Sequence, residues 1–342
     1  MKTISFFNHK GGVGKTTLVF NVGIALADEG HRVLFIDADA QANLTGNAMA
    51  ADRYQNAIDG GQTIIDALRP VIDGVGVVST PTPIQIRENA WLVPGSIDLS
   101  EYEEILPAAW TAALAGQFQG FAQTTALHAM IHKAAELVGA ELVLIDVGPS
   151  VGALNRVVIL GSDGFVVPLA PDLFSLTALP SVGKSVAAWI QGWEAALGSA
   201  ERANIAQRLE GQLFDGKPVP LGYISQQFAS YRSAPAAAFK RWMDEIPQSY
   251  ESNVTERLGA VEVLAPGVDG IIGRVRNLSS LVPMAQESNK AIFELSGSIA
   301  RGAQYTKARD TRSDFVELGR VIMDRALLIG GPVEEVAEGS PE

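Results

Sequence analysis

His9-Lys10-Gly11-Gly12-Val13-Gly14-Lys15-Thr16-Thr17 is the stretch on which the reading of this chain turns. Side chains at 11, 12 and 14 would keep backbone N–H groups from turning inward, so glycines there let the segment, with Val13 among them, wrap an anion. Lys15 adds a point charge and Thr16 a hydroxyl suited to Mg²⁺. Thr17 opens a helix whose unpaired amides and positive dipole end also face the anion. Ile4-Ser5-Phe6-Phe7 reads as a short strand before the loop, and Leu18 to Glu29 as a helix ending at Gly30. Strand, loop and helix in that order are the context a phosphate-binding loop requires. The ordinary loop has glycine five positions before Gly14. His9 stands there instead, which makes this the deviant form, and Lys10 is a second lysine that one nucleotide should not need. That extra lysine points to a dimer.

The chain has 342 residues, enough for about two domains, although α/β folds often use this length as one. It contains no cysteine, which excludes disulfides, cysteine-ligated zinc and ordinary iron–sulfur clusters and fits a reducing cytoplasm. The start MKTISFF lacks signal-peptide architecture, and no apolar run approaches the ~20 residues of a membrane span. A cytoplasmic protein without membrane attachment is the expectation. A net charge of -12 opposes indiscriminate nucleic-acid binding by the whole surface. Any DNA contact needs a local basic patch.

Short apolar runs recur at Val33 to Ile36, Leu142 to Ile145, Phe165 to Leu169 and Leu221 to Ile224. Consecutive apolar positions suit strands covered on both faces, hence an α/β fold with a mostly parallel twisted sheet and helices on both sides. Two of the runs are followed by aspartate. Asp37 and Asp146 are thereby expected at strand carboxyl ends, the edge of an open α/β sheet where ligands lie. One P-loop domain is expected over 1–329. Within it, 47–140 forms an excursion of helices plus one strand around Trp91 to Gly95, with Thr63 to Leu68 in a helix. Residues 186–260 form a helical elaboration in which 186–215 reads as helix, with Trp189 and Trp193 as a core stripe. Residues 330–342 read as an acidic, flexible tail.

Three blocks in order, KGGVGKTT at 10–17, DADAQANLT at 37–45 and LVLIDVGPS at 142–150, resemble the ParA/MinD family of deviant P-loop ATPases, closest to its ParA-type partition members. Weaker likeness continues through VVPLAPDLFSL (166–176) and VPMAQESNKAIFEL (282–295). Ala40 replaces the family's usual proline, and Gly148 stands where proline is common. Neither change removes a reacting group. The resemblance implies ATP and Mg²⁺ as cofactors. It implies that Lys15 binds the β- and γ-phosphates, that Thr16 ligates Mg²⁺, and that Asp37 and Asp146 hold the metal or its waters. It further implies that Asp39 orients or activates the attacking water, with Asn43 as a second contact to it, and that Lys10 reaches across a nucleotide sandwich to the partner's phosphates. Such a set suits phosphoryl transfer, which needs charge neutralisation and an in-line water more than covalent catalysis.

Other readings stay open beside this one. Gly148-Pro149-Ser150-Val151-Gly152 fits a nucleophile elbow, but all four histidines precede Ser150, so the usual chain order of a serine hydrolase is not available. His128 and His132 stand at i, i+4 without the glutamate of H-E-x-x-H. Lack of cysteine argues against cluster-carrying relatives, and the Glu/Gly/Pro terminus against a MinD-like membrane helix. The partition reading implies a homodimer on ATP binding, a ParB-like activator and nonspecific DNA. Residues 271–325 carry nine Lys and Arg against six Asp and Glu. Arg274, Arg276, Lys290, Arg301, Lys307, Arg309 and Arg312 are the candidates for DNA phosphates. With the loop nine residues from Met1, no N-terminal helix-turn-helix is expected. The rival is an ATP-dependent dimeric switch that positions or regulates a protein assembly without touching DNA, and a small-molecule ligase is a distant third. Gln226 and Gln227, after a late strand, are candidates to approach the base.

Overall fold

The computed structural model describes residues 1–170, 172–209, 211–228, 235–278 and 280–330, without the side chains at 174, 227, 228 and 235–240. The tail expected at 330–342 therefore falls, beyond Gly330, outside the described residues, as does the side chain of Gln227.

The chain begins β1 (Lys2–Phe6), α1 (Lys15–Asp28), β2 (Val33–Ala38). The excursion follows as α2 (Asn43–Ala48), α3 (Ala51–Asp59), α4 (Ile64–Ile72), β3 (Ile84–Arg87), β4 (Ala90–Val93), α5 (Leu99–Leu114) and α6 (Phe118–Val138). Next come β5 (Leu142–Val147), α7 (Ala153–Leu160), β6 (Gly164–Leu169), α8 (Leu173–Arg202) and β7 (Val219–Phe228). Then α9 (Pro235–Tyr250) runs through a π-helical turn (Glu251–Thr255) into α10 (Glu256–Gly259), and β8 (Ile271–Arg276), α11 (Val282–Glu287) and α12 (Ala303–Leu327) complete the fold.

The strands form one sheet in the order β3-β4-β2-β5-β1-β6-β7-β8. Every pairing is parallel except β3 against β4. The apolar runs are continuous because both faces are covered. Leu34, Ile36, Val143 and Ile145 enter one core with α5 to α8, while Val33, Phe35, Leu142 and Leu144 enter the other with α1 and α12. Since β1 lies between β5 and β6, its connection to β2 leaves in one direction while β6, β7 and β8 build in the other. A crevice opens at the carboxyl end of such a switch point.

Two expectations need correction. The excursion holds two strands, because Ile84-Gln85-Ile86-Arg87 folds back antiparallel on β4 through Asn89 in the left-handed region (φ 57). This run is only four residues long and covered on one side, so it lacks the apolar continuity that marks the central strands. Helix also starts earlier and stops earlier than 186–215. Asp172 caps α8 by accepting from Ser175 N at 2.7 Å, and the helix passes through Pro180 and Gly183, residues that locally signal a break. Gly183 is small because the backbone of Asn253 in the π-helical turn packs directly on it. Past Arg202 the chain turns through Asn204 (φ 53) into a short 3₁₀ turn at Ala206–Arg208. Trp193 is fully buried and stacks on Phe214, while Trp189 is half-buried against Phe7, as a core stripe requires.

Candidate functional site

The loop after β1 is held by its own side chains. Asn8 donates from Nδ2 to the Pro168 carbonyl at the end of β6 (2.8 Å) and accepts from Lys10 N (3.0 Å). Gly12 and Gly14 both take left-handed conformations (φ 73 and 70), which only glycine adopts without strain. A Cβ at Gly14 would also collide with the carboxamide of Gln226, whose Nε2 donates to the Val13 carbonyl. Gln226 thus packs on the loop itself. α1 begins at Lys15, so its unpaired N–H groups open onto the same concavity.

Lys15 is buried and folds back on the loop, donating from Nζ to the carbonyls of Asn8 (3.1 Å) and Lys10 (3.4 Å). Burial lowers its pKa, and Asp146 and Asp39 oppose that shift. His9 is also lowered, by burial and by Lys15, and its Nδ1 is buried without a hydrogen-bond partner. Lys10 is ion-paired with Asp172, the capping residue of α8.

The parallel register sets Asp37 of β2 directly beside Asp146 of β5, and Asp146 beside Phe6 at the end of β1. Both aspartates are fully buried. Asp37 is pushed up to about 6 by burial, against the opposing effect of its hydrogen bonds from Thr45. Its Oδ2 accepts from Thr45 N (2.8 Å) and Thr45 Oγ1 (2.6 Å), and the same hydroxyl accepts from Gly95 N (2.9 Å). One oxygen of Asp37 therefore anchors α2 to the β4–α5 connection, a role that spacing along the sequence does not reveal. Asp146 differs. No hydrogen bond of full geometry reaches either buried oxygen, and burial, together with Asp37, holds its carboxyl well above the usual range against the partial relief given by the nearby Thr16 hydroxyl and Lys15. A buried orphan carboxylate is costly unless a cation or donor completes it. Beside it, Thr16 offers a hydroxyl. Hard oxygen donors of this kind fit Mg²⁺, which is commonly held by one or two carboxylates together with substrate phosphates.

Asp39 accepts from Gln41 N at 3.1 Å. With Gly11, Gly12, Lys15, Thr16, Thr17 and Asn43 it lines a cavity of about 300 Å³ that also touches Pro149 and Gln286. A second cavity of about 260 Å³ adjoins it, sharing Gly12, Gly14 and Thr17 and reaching Gln226, Arg276, Asn277, Val282 and Pro283. The residues from β8 and α11 were not assigned to the site from sequence. For those of α11 the one signal is the weak likeness over 282–295, which carries no local phosphate or metal pattern, and Arg276 and Asn277 lie outside it.

The seven basic candidates differ in their surroundings. Arg312 is ion-paired with Glu29 (3.0 Å) and Asp28 (3.8 Å), Arg276 with Asp314 (3.5 Å), and Lys307 donates to the Asn277 carbonyl. Lys290 is half-buried beside Thr17. Arg274, Arg301 and Arg309 are exposed. Elsewhere, Ser150 Oγ is engaged by Gly152 N (3.2 Å) and Asn155 Nδ2 (3.3 Å). His128 and His132 lie near the opposite end of the strands, where His128 Nδ1 bonds the Gly161 carbonyl at 2.9 Å. No described helix is long and apolar enough to cross a membrane.

A family model described as an AAA domain matches residues 1–197, more than half of the chain. The chain is 31% identical over 189 residues to a probable plasmid-partitioning protein ParA of Thermus thermophilus, covering 53% of this chain and 48% of that protein. It is 30% identical over 188 residues to the sporulation initiation inhibitor protein Soj of Bacillus subtilis, covering 54% of this chain and 64% of that protein. The match thus spans about half to two thirds of these relatives' length. Among solved structures, protein DIP2308 of Corynebacterium diphtheriae superposes with a TM-score of 0.68 at 26% identity, over 84% of this chain and 97% of that one. With the deviant loop, the paired strand-end aspartates and these matches together, the chain belongs to the ParA/MinD family of deviant P-loop ATPases.

Proposed function

We propose that this protein is a Mg²⁺-dependent ATPase that pairs with a second copy on binding ATP, holds DNA without sequence preference in that state, and lets go when a ParB-like partner stimulates hydrolysis. The observation that carries the ATPase reading is Asp146, a fully buried carboxyl with no hydrogen bond of full geometry, set beside Thr16 and a glycine loop whose lysine donates to loop carbonyls. When bound, the magnesium–nucleotide complex supplies charge neutralisation on the phosphoryl being transferred. Lys15 exchanges its loop carbonyls for phosphate oxygens, and the amides at 11–17 line the anion. Thr16 and Asp146 hold the cation, with Asp37 behind them, its Oδ2 kept on Thr45. Asp39 and Asn43 face the same cavity and orient the attacking water. The cavity bordered by Gln226, Asn277, Val282 and Pro283 accepts the base and ribose. Lys10 completes the partner's site. The partition role is supported by the relatives' names and by the basic balance of 271–325.

A second reading, a switch acting on a protein assembly without DNA, is favoured by one observation: Arg312 and Arg276 are already neutralised by acids of this chain. Titrating ATP-bound protein with DNA between low and physiological salt separates the two, since phosphate contacts weaken steeply as counterions accumulate. The partition reading expects ATP-dependent binding with a steep salt slope, lost in Lys10→Ala. ATP hydrolysis with DNA binding that is absent or indifferent to nucleotide contradicts it.

A further inference from the structure

Lys10 is held at home. Its Nζ lies 2.5 Å from Oδ2 of Asp172, while the other oxygen of the same carboxylate accepts from Ser175 N at 2.7 Å. One side chain therefore does two separable things, restraining a lysine with one oxygen and capping a 30-residue helix with the other. The meeting is a product of topology. β6 is the hydrogen-bonded neighbour of β1, so the β6–α8 connection emerges beside the phosphate loop, and Asn8 bonded to Pro168 fixes the two strand ends together. The lysine and aspartate side chains are 24% and 34% exposed, sheltered enough for the pair to matter and open enough for it to exchange.

We propose that Asp172 is a cis latch, keeping Lys10 on its own subunit until the nucleotide of a second copy offers a stronger anion, so that release of Lys10 is coupled to ATP-dependent pairing. This rests on the reading of Lys10 as a lysine that acts in trans. Lys10 cannot keep its present contact with Asp172 and reach a partner's phosphates at the same time, so pairing must break one latch in each protomer. A polyphosphate carries more negative charge than one carboxylate and repays that loss, whereas an empty partner site offers nothing in exchange. The latch therefore suppresses pairing of empty subunits. Asp172 is left stable when it opens, because the Ser175 amide and the positive end of the α8 dipole still favour its ionised form. It is a positioning residue, acting through Lys10.

Asparagine caps helices about as well as aspartate, so Asp172→Asn keeps the cap and removes the latch, whereas Asp172→Ala removes both. In a hydrolysis-poor Asp39→Ala background saturated with Mg²⁺ and ATP, Asp172→Asn should lower the dimer Kd by about 3- to 20-fold, the expectation for two partly exposed ion pairs no longer broken. In the nucleotide-free protein, Lys10 should react faster with acetic anhydride in peptide mapping of the Asp172→Asn variant. Asp172→Ala should show the same faster labelling together with a lower melting temperature from the lost cap. An unchanged Lys10 labelling rate would show that the pair does not restrain the lysine, and an unchanged or weaker dimer would show that it does not gate pairing. Either result overturns the latch. If the Asp39→Ala parent itself stays single with ATP, the trans-lysine reading falls and takes the latch's purpose with it, while the labelling still reports the ion pair.

Discussion

At the amino end of β1, Thr3 and Asp163 complete each other. Asp163 Oδ2 accepts from Thr3 N (2.7 Å) and Thr3 Oγ1 (2.8 Å), and Thr3 Oγ1 accepts from Asp163 N (2.9 Å). At the carboxyl end of the neighbouring strand, Asp146 is fully buried with no hydrogen bond of full geometry to either oxygen, and Lys15 spends its charge on carbonyls of its own loop. The same sheet thus has one edge whose polar groups are satisfied by the fold and one whose polar groups await something the fold does not contain. A buried group left unmatched costs stability, so the second edge holds a cost that ligand binding can recover.

The largest expected effect breaks this contrast at Asp146. Asp146→Asn removes the cost of keeping a buried carboxyl protonated that would ionise in the unfolded chain, and should raise the stability of the nucleotide-free protein by about 1–3 kcal/mol in urea unfolding at neutral pH. The same change should cut Mg²⁺-dependent hydrolysis by about 100-fold or more, the scale of losing an electrostatic stabiliser of the transition state. A variant both less stable and fully active would reverse the assignment of the two edges. The pH dependence follows in sign. Asp37 and Asp146 titrate above their unfolded values, so their neutral forms favour folding in acid, and for Asp37 that contribution is lost as pH rises from its ordinary value of 3.8 through about 6. Bound Mg²⁺–nucleotide should flatten this decline.

At the satisfied edge, Asp163→Ala takes the carboxylate acceptor from the buried Thr3 amide and hydroxyl proton, while Thr3 Oγ1 still accepts from the backbone N of residue 163. It should cost about 1–3 kcal/mol in urea unfolding and leave the nucleotide Kd of the folded protein unchanged. A nucleotide-binding defect at native conditions would mean that the two ends are not independent. The smallest effect concerns His128, lowered to about 4 by burial and by His132. A depressed histidine contributes stability that is complete above its unfolded value and lost as pH falls toward the folded one. Between about pH 6.5 and 4, His128→Gln should therefore flatten the acid limb of the stability profile by no more than about 1.4 kcal/mol per pH unit, the limit for one proton. An acid limb of unchanged slope would place the titrating group elsewhere.

Legibility in the sequence divides along a similar line. The glycines of 11–14, Lys15, Thr16 and the strand-end aspartates were readable because contiguous residues set their chemistry, and the sheet followed from apolar runs that both faces must cover. Lys10 paired with Asp172 and the cavity walls from Asn277, Val282 and Pro283 were not readable, since each joins residues brought together only by strand order, and Asp37 bonded to Thr45 was not, since it depends on how the β2–α2 turn folds back. β3 escaped because four alternating residues paired on one side carry little pattern. The start of α8 escaped because Pro180 and Gly183 imitate a break that tertiary packing overrides.

On the proposed reading, nucleotide and a second copy together complete the unsatisfied edge. Light scattering of Asp39→Ala protein on a gel-filtration column, saturated with Mg²⁺ and ATP, tests it most directly. Twice the single-chain mass, reverting to one chain when Lys10→Ala is added, is the predicted result; one chain throughout, with ATP demonstrably bound, contradicts it.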